Sequence, residues 1–206
     1  MQKILNDYEA KLESKGIFKM RKVVLGLGIS LDGYIARKNG AVDWLSMDWD
    51  YDWTAFFKTI DVVLMGRKSW DAALGMTPKP KKKSKSKASN PYGAMETYVF
   101  SNTLETSGVD GVEIISGNLP EFIGNLKKKD GKNIWLSGGG KLAKSFFDEG
   151  LVDEIYLGIT PILLGSGLPL FHELEREVPL RLVSCKICKH KKEDNAMIEL
   201  IYEIKK

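Results

Sequence analysis

Apolar positions along the chain follow two rhythms. Short runs rich in Val, Leu and Ile recur at residues 21–30, 61–65, 97–101, 112–115, 133–137 and 153–160. Each reads as a strand, and residues 61–65 are apolar enough to be buried on both faces. Between them lie stretches with helical spacing, at residues 50–59, from Gly66-Arg67-Lys68-Ser69-Trp70 onward, at 120–129 and at 141–149. Two final strands, about 180–190 and 195–204, are separated by Lys191 to Asn195 and read as an antiparallel hairpin. Alternation of strands and helices that closes in a hairpin predicts an α/β sandwich around a mainly parallel sheet with an antiparallel edge. Ile4, Leu5, Tyr8 and Leu12 predict an amphipathic helix over residues 3–15, stopped at Gly16. Residues 1–19 are therefore expected to be a helical extension and 20–206 the compact domain. The Lys-, Ser- and Pro-rich stretch 76–93 predicts a long loop.

Composition changes this picture in three places. The length of 206 residues suits one domain, and a hydrophobic fraction of 43% suffices for a core. The net charge of +4 is concentrated in six lysines between Lys79 and Lys87; without them 25 basic residues face 27 acidic ones. A nucleic-acid-binding protein needs basic residues spread along a groove or helix, so no nucleic-acid partner is expected. The run itself reads as a solvated loop, or as a patch that steers anions. No apolar run is long enough for a membrane-spanning helix, and the first residues lack the pattern of a signal peptide, so a cytoplasmic protein without a membrane partner is expected. Cys185 and Cys188 form a C-x-x-C near His190, but they sit in a strand without a second ligand pair. Structural thiols in a reducing compartment are expected, and no metal site.

Chemistry is expected at the carboxyl ends of the strands, where open α/β sheets bind ligands. Three motifs fall there: Ser30 to Gly33, Gly66 to Ser69, and Ser137-Gly138-Gly139-Gly140. Glycines directly before a helix let a phosphate approach the backbone, and the helix terminus offers free N–H groups. The spacing is neither a G-x-G-x-x-G fingerprint nor a P-loop. Two such anion sites on one sheet edge suit a dinucleotide that carries a further phosphate, as NADPH does.

Five motifs in order resemble the dihydrofolate-reductase-like superfamily, and within it the C-terminal reductase domain of the bifunctional riboflavin-biosynthesis protein, the RibD C-terminal family. They are Ser30-Leu31-Asp32-Gly33-Tyr34-Ile35-Ala36, Val63 to Trp70, Tyr98-Val99-Phe100-Ser101, Ser137 to Gly140, and Leu151 to Glu154 with the loop Pro161 to Phe171. The resemblance covers about residues 20–204. It implies a three-layer dihydrofolate-reductase-like fold and NADPH-dependent reduction of a small heterocycle. One such reaction is that of 5-amino-6-(5-phosphoribosylamino)uracil reductase. It implies that Gly66, Arg67, Lys68, Ser69 and Ser101 hold the adenosine side of NADPH. Ser137, Gly138, Gly139, Gly140 and Lys141 would then cradle the pyrophosphate. Asn102 stands where the family usually has a basic residue.

Asp32 matches an aspartate near nicotinamide and substrate in the riboflavin-type reductases, where it would orient substrate or a water. Folate reductases instead carry their carboxylate at the start of the first helix; counting back from Gly66 places Asp50 there, with Asp48 and Asp52 in nearby register. A turn role for Asp32 and a helix-cap role for Asp50 are the structural alternatives. Trp44, with Trp49 and Trp53, is expected around the substrate mouth, and Phe171 and His172 near it. Folate reduction and a non-catalytic nucleotide-binding protein of the same fold are the other functional expectations. A homodimer through sheet edges is the expected assembly.

Overall fold

The computed structural model describes residues 20–76 and 89–205; the helix expected at 3–15 and most of the lysine-rich loop lie outside them. The elements run β1 (Val23–Ser30), β2 (Tyr34–Ala36), α1 (Trp53–Lys58), β3 (Ile60–Gly66), α2 (Arg67–Met76), β4 (Glu96–Phe100), β5 (Val112–Ile115), α3 (Leu119–Lys127), β6 (Asn133–Gly138), α4 (Gly140–Asp148), β7 (Glu154–Thr160), β8 (Leu168–Pro169), β9 (Leu180–Lys189) and β10 (Ala196–Ile204). Eight strands form one sheet in the order β5-β4-β3-β6-β1-β7-β10-β9. The pairings from β5 through β7 are parallel, and β10 and β9 close the edge antiparallel. The predicted α/β sandwich is the observed fold.

Side-chain alternation sets the layers. Val23, Leu25, Val62, Leu64, Ile134 and Leu136 carry one face of the sheet, packed with Ile123 and Leu126 of α3 and with Phe146 and Phe147 of α4. On the other face Val63, Met65 and Val99 cluster with Trp70 of α2, and Val24 with Phe56 of α1. Each such buried side chain is worth about 1.5–3 kcal/mol, against at most about 1 kcal/mol for a surface ion pair. Burial therefore fixes the register, since a slip of one residue would turn every strand inside out.

Two features differ from expectation. The helix expected at 50–59 begins only at Trp53, because the Asp52 side chain accepts from the Ala55 N–H at 2.9 Å and caps it there. The opening motif and the late loop each contribute a short strand, β2 and β8, which pair with one another outside the main sheet. Three and two residues are too few to show a period.

The sheet also opens. β1 and β6 pair only from Val23↔Ile134 to Leu25↔Leu136, yet β1 continues to Ser30 and β6 to Gly138. The order of strands reverses beside this pair, since β6 is inserted between β1 and β3. Ligands of open α/β sheets bind at such switch points, beyond the carboxyl ends of the strands.

Candidate active site

On the β3 side of the opening, two helices start next to one another. α2 begins at Arg67, directly after β3, and α4 at Gly140, directly after β6; Met65 and Gly138 are neighbours across those strands. The Gly139 N–H donates to Ser69 Oγ at 3.1 Å, which ties the first turn of α2 to the glycine turn. Gly138 has φ +117°, a conformation that L side chains rarely adopt, and a Cβ there would face open space. Gly140 is glycine for another reason: a Cβ would overlap the Pro169 carbonyl oxygen and meet His172 Nε2 at 2.9 Å. α4 has no side-chain cap, so its first N–H groups are left for another acceptor. Arg67 is exposed, with Nη1 donating to Thr103 Oγ1 at 3.0 Å and Nε 3.5 Å from Asp71. Lys68 and Lys141 are exposed. Ser101 Oγ accepts from the N–H groups of Thr103 and Leu104, which shapes the turn that reaches Arg67.

On the β1 side lies a cavity of about 260 Å³. Its size is close to the lower end, about 300 Å³, of small-molecule sites. Three glycines thin its floor: Gly26 and Gly28 in β1, and Gly158 in β7, which sits directly opposite Gly28. Aromatic rings make the walls. Trp53, Phe56 and Phe57 come from α1, Trp135 from β6, and Trp49 and Tyr51 from the loop before α1. Trp135 Nε1 donates to the Gly26 carbonyl at 2.7 Å, bridging the two strands where their own pairing has stopped. The register of β6 against β3 shifts between Leu64 and Met65, beside Ser137, which lines the cavity.

The loop is strapped to the β9–β10 hairpin. Trp49 forms an isolated bridge with His190, the Asp50 N–H donates to the Lys189 carbonyl at 2.8 Å, and Lys192 Nζ pairs with Asp48 at 2.6 Å. That pair holds the Asp48 carboxyl below its ordinary range and the Lys192 ammonium above its own. Behind the strap, among the described residues, the cavity lining holds one charged side chain, Glu199 of β10. Glu199 is 7% exposed, and its Oε1 is buried without a hydrogen-bond partner. Lys186 Nζ, on the solvent side, is 3.3 Å from that oxygen as an ion pair. Burial, reinforced by the Glu199 carboxylate, pushes the Tyr51 hydroxyl up to about 12, so it remains a donor. Burial also raises Tyr156, with Glu154 adding to it.

The expected site residues separate into groups. Gly66 to Ser69 and Ser137 to Lys141 lie side by side, joined by the Gly139–Ser69 hydrogen bond. Ser137, Trp49 and Trp53 line the cavity; Trp44 does not, although its indole N–H is buried without a partner. Asp32 lies outside the lining and accepts from Ser30 Oγ at 2.6 Å and from the N–H groups of Leu164 and Gly165. Asp50 is exposed, precedes the helix and is also outside the lining. Phe171 is 44% exposed and packs against Phe147, 5.7 Å between ring centroids. Cys185 is exposed and Cys188 buried, and residues three apart in a strand face opposite sides. Burial raises the Cys188 thiol. Among the described residues no cluster of His, Cys, Asp and Glu could hold a metal, and no helix is long and apolar enough to cross a membrane. Glu199 and Tyr51 were not expected from the sequence.

The sequence profile of the RibD C-terminal domain matches residues 21–193. The chain belongs to the RibD C-terminal domain family. Similar proteins include YwjB and YyaP of Bacillus subtilis strain 168, both uncharacterised. YwjB is 36% identical over 169 residues, covering 81% of this chain and 91% of that protein. YyaP is 40% identical over 170 residues, covering 82% and 89%. Among solved structures, a Shewanella sp. PV-4 protein assigned to riboflavin biosynthesis superposes with a TM-score of 0.71 at 27% identity, over 90% of this chain and 99% of the other. Dihydrofolate reductase from Enterococcus faecalis, complexed with NADP(H), gives 0.61 at 15% identity over 90% and 97%. A Thermotoga maritima deaminase and 5-amino-6-(5-phosphoribosylamino)uracil reductase gives 0.61 at 16% over 90% and 57%. The fold is thus the reductase fold that these proteins share.

Proposed function

We propose that this protein is an NADPH-dependent oxidoreductase that reduces a small heterocyclic substrate. The observation that carries this reading is the adjacency of a glycine-turn anion site and an aromatic cavity on the two sides of one sheet opening. The protein folds a phosphate-binding edge and a flat, largely apolar chamber beside each other, as a dinucleotide-dependent reductase of a planar ring requires. Membership of the RibD C-terminal domain family and the Shewanella relative support it.

The residues fit the cofactor. The uncapped start of α4 and the open face at Gly138 suit a pyrophosphate. Arg67 and Lys68 suit a further phosphate, and Ser69 and Ser101 shape the backbone around it. NADPH supplies the hydride. The chain's own residues bind it, exclude water with the aromatic walls and orient the ring to be reduced. Asp32 positions the 161–165 loop beside the opening. A homodimer belongs to the same reading: β9 is a sheet edge that exposes Leu182, Val183 and Ile187. A cytoplasmic location completes it.

Titration of the full chain with NADPH and NADH, read by nicotinamide fluorescence, tests this. Saturable NADPH binding is expected, and Arg67→Ala should weaken it by about tenfold, the loss of one charge-assisted contact. If neither nucleotide binds at millimolar concentration, the reductase reading falls.

A further inference from the structure

A second cavity, about 320 Å³, lies away from the aromatic chamber. It is on the face that α3 and α4 cover, since Phe147, Val152, Val178 and Ile204 line it and belong to that core or pack against it. It is also at the far end of the sheet. Val152 precedes β7, and Ile204 ends β10, which runs antiparallel to β7. Ligands of an open α/β sheet bind beyond the carboxyl ends of the parallel strands, so neither cofactor nor reducible substrate is expected here. The volume nevertheless falls in the range of small-molecule sites, which begins at about 300 Å³.

The walls of this cavity are tied in place. α4 ends in a turn in which the Gly150 N–H donates to the Phe147 carbonyl at 3.0 Å and the Leu151 N–H to the Phe146 carbonyl at 2.8 Å. The segment 171–179 is pinned to α4 at two points: the Glu175 N–H donates to Asp148 Oδ1 at 3.2 Å, and Phe171 packs on Phe147. The Lys205 N–H donates to the Pro179 carbonyl at 2.9 Å and closes the side formed by β10. Arg176 lies over this frame. Gly150 has φ +64°, and a Cβ there would fall 2.8 Å from Arg176 Nη2, so glycine both makes the turn and leaves the guanidinium its place. The carbonyl end of α4 favours a cation at that spot. Asp148 is already committed: the Lys144 hydrogen bond holds its carboxyl below the ordinary range, and the Arg176 charge only adds to this.

The rim carries three exposed charges, Arg176, Glu177 and Lys205. Among the described residues no ion pair or side-chain hydrogen bond includes any of them. Two cations against one acid leave the mouth net positive above an apolar floor. We propose that this cavity is a ligand site separate from the chamber and that it binds a free monocarboxylic acid. The apolar body rests on Phe147, Val152 and Val178, and the carboxylate meets the Arg176 fork with Lys205 beside it. A guanidinium holds a carboxylate through two parallel N–H bonds, a stronger and more directional contact than a neutral pair. An ammonium ligand would be repelled by both cations, and a neutral one leaves them unmatched. A peptide C-terminus would lay its own N–H and carbonyl groups on a floor that offers them no partner, which favours a free acid.

The test is a titration of the labelled full chain with hexanoate, hexanol and hexylammonium, read by backbone amide chemical shifts. The three probes share one apolar chain and differ in charge. Hexanoate should move the amides of Gly150, Val178 and Lys205 saturably and bind at least about tenfold more tightly than the other two. Arg176→Ala, a change at an exposed side chain, should weaken hexanoate by about tenfold and leave hexanol unaltered. The amide spectrum of the variant reports its fold, and the ranking of the probes on the unaltered protein decides the matter without it. Three results overturn the inference: these amides stay still at millimolar hexanoate, hexanol or hexylammonium binds there as tightly, or a folded Arg176→Ala protein binds hexanoate undiminished. Shifts confined to Gly26 and Gly158 overturn it as well, since they place the acid in the chamber. None of these outcomes depends on NADPH, so the reductase reading stands or falls separately.

Discussion

Asp32 shows what a single residue contributes away from the chamber. Its carboxylate accepts from Ser30 Oγ, from the Gly165 N–H at 2.7 Å and from the Leu164 N–H at 3.1 Å. The Ser30 bond is the main cause of a carboxyl held below its ordinary 3.8, with the two backbone donors adding to it. A depressed carboxyl contributes stability above its unfolded value and loses it as pH falls through the lowered folded value. The attachment of the 161–165 loop should therefore be intact at neutral pH and loosen only in acid, below pH 3.8. Amide exchange at Gly165 measures it. Asp32→Asn should show faster exchange at neutral pH and little further change in acid. Fast exchange at neutral pH in the unaltered protein would contradict the anchoring role. Ionised at neutral pH, Asp32 is an acceptor that organises a loop and not itself a proton donor.

At the scale of elements, legibility depended on whether a signal was local. The parallel strands were readable because each is a short run of Val, Leu, Ile or Met. The glycine turn was readable because Gly138 needs a positive φ and Gly140 has no room for a Cβ. Glu199 was not readable. In the run Ala196 to Ile204 an acid alternating with apolar residues has the pattern of a half-exposed strand, and its burial comes from a loop about 150 residues earlier in the chain. Counting back from Gly66 places Asp50 at the helix start, but the helix starts at Trp53 and Asp52 caps it, because no local signal fixes the length of the intervening chain. The facing pair Gly28 and Gly158 belongs to this scale too. A Cβ on Gly158 would meet Met197 Sδ at 3.4 Å, an ordinary contact, and the glycine has no positive φ. Gly158→Ala should therefore fold, with a urea midpoint no lower than that of the unaltered protein. A lowered midpoint would show that the face of β7 opposite Gly28 does not accept a Cβ.

At the scale of the whole molecule, β9 joins two roles. It is the sheet edge with Ile187 73% exposed, and it carries Lys186 and Lys189, which hold Glu199 and the strap. Sedimentation of the proposed dimer tests the edge: Ile187→Asp should shift the protein to monomer, and an unchanged sedimentation coefficient would locate any self-association elsewhere. The distribution of the chamber along the chain has a temporal consequence. Its floor begins at Gly26 and its acid is Glu199, so the chamber closes only when contacts of very long sequence separation form. Such contacts are entropically expensive to close and arise late. During refolding, secondary structure should reach its final level before the protein gains the capacity to bind a ring, so ligand capture times the docking of the last hairpin and serves as a clock for the completed fold.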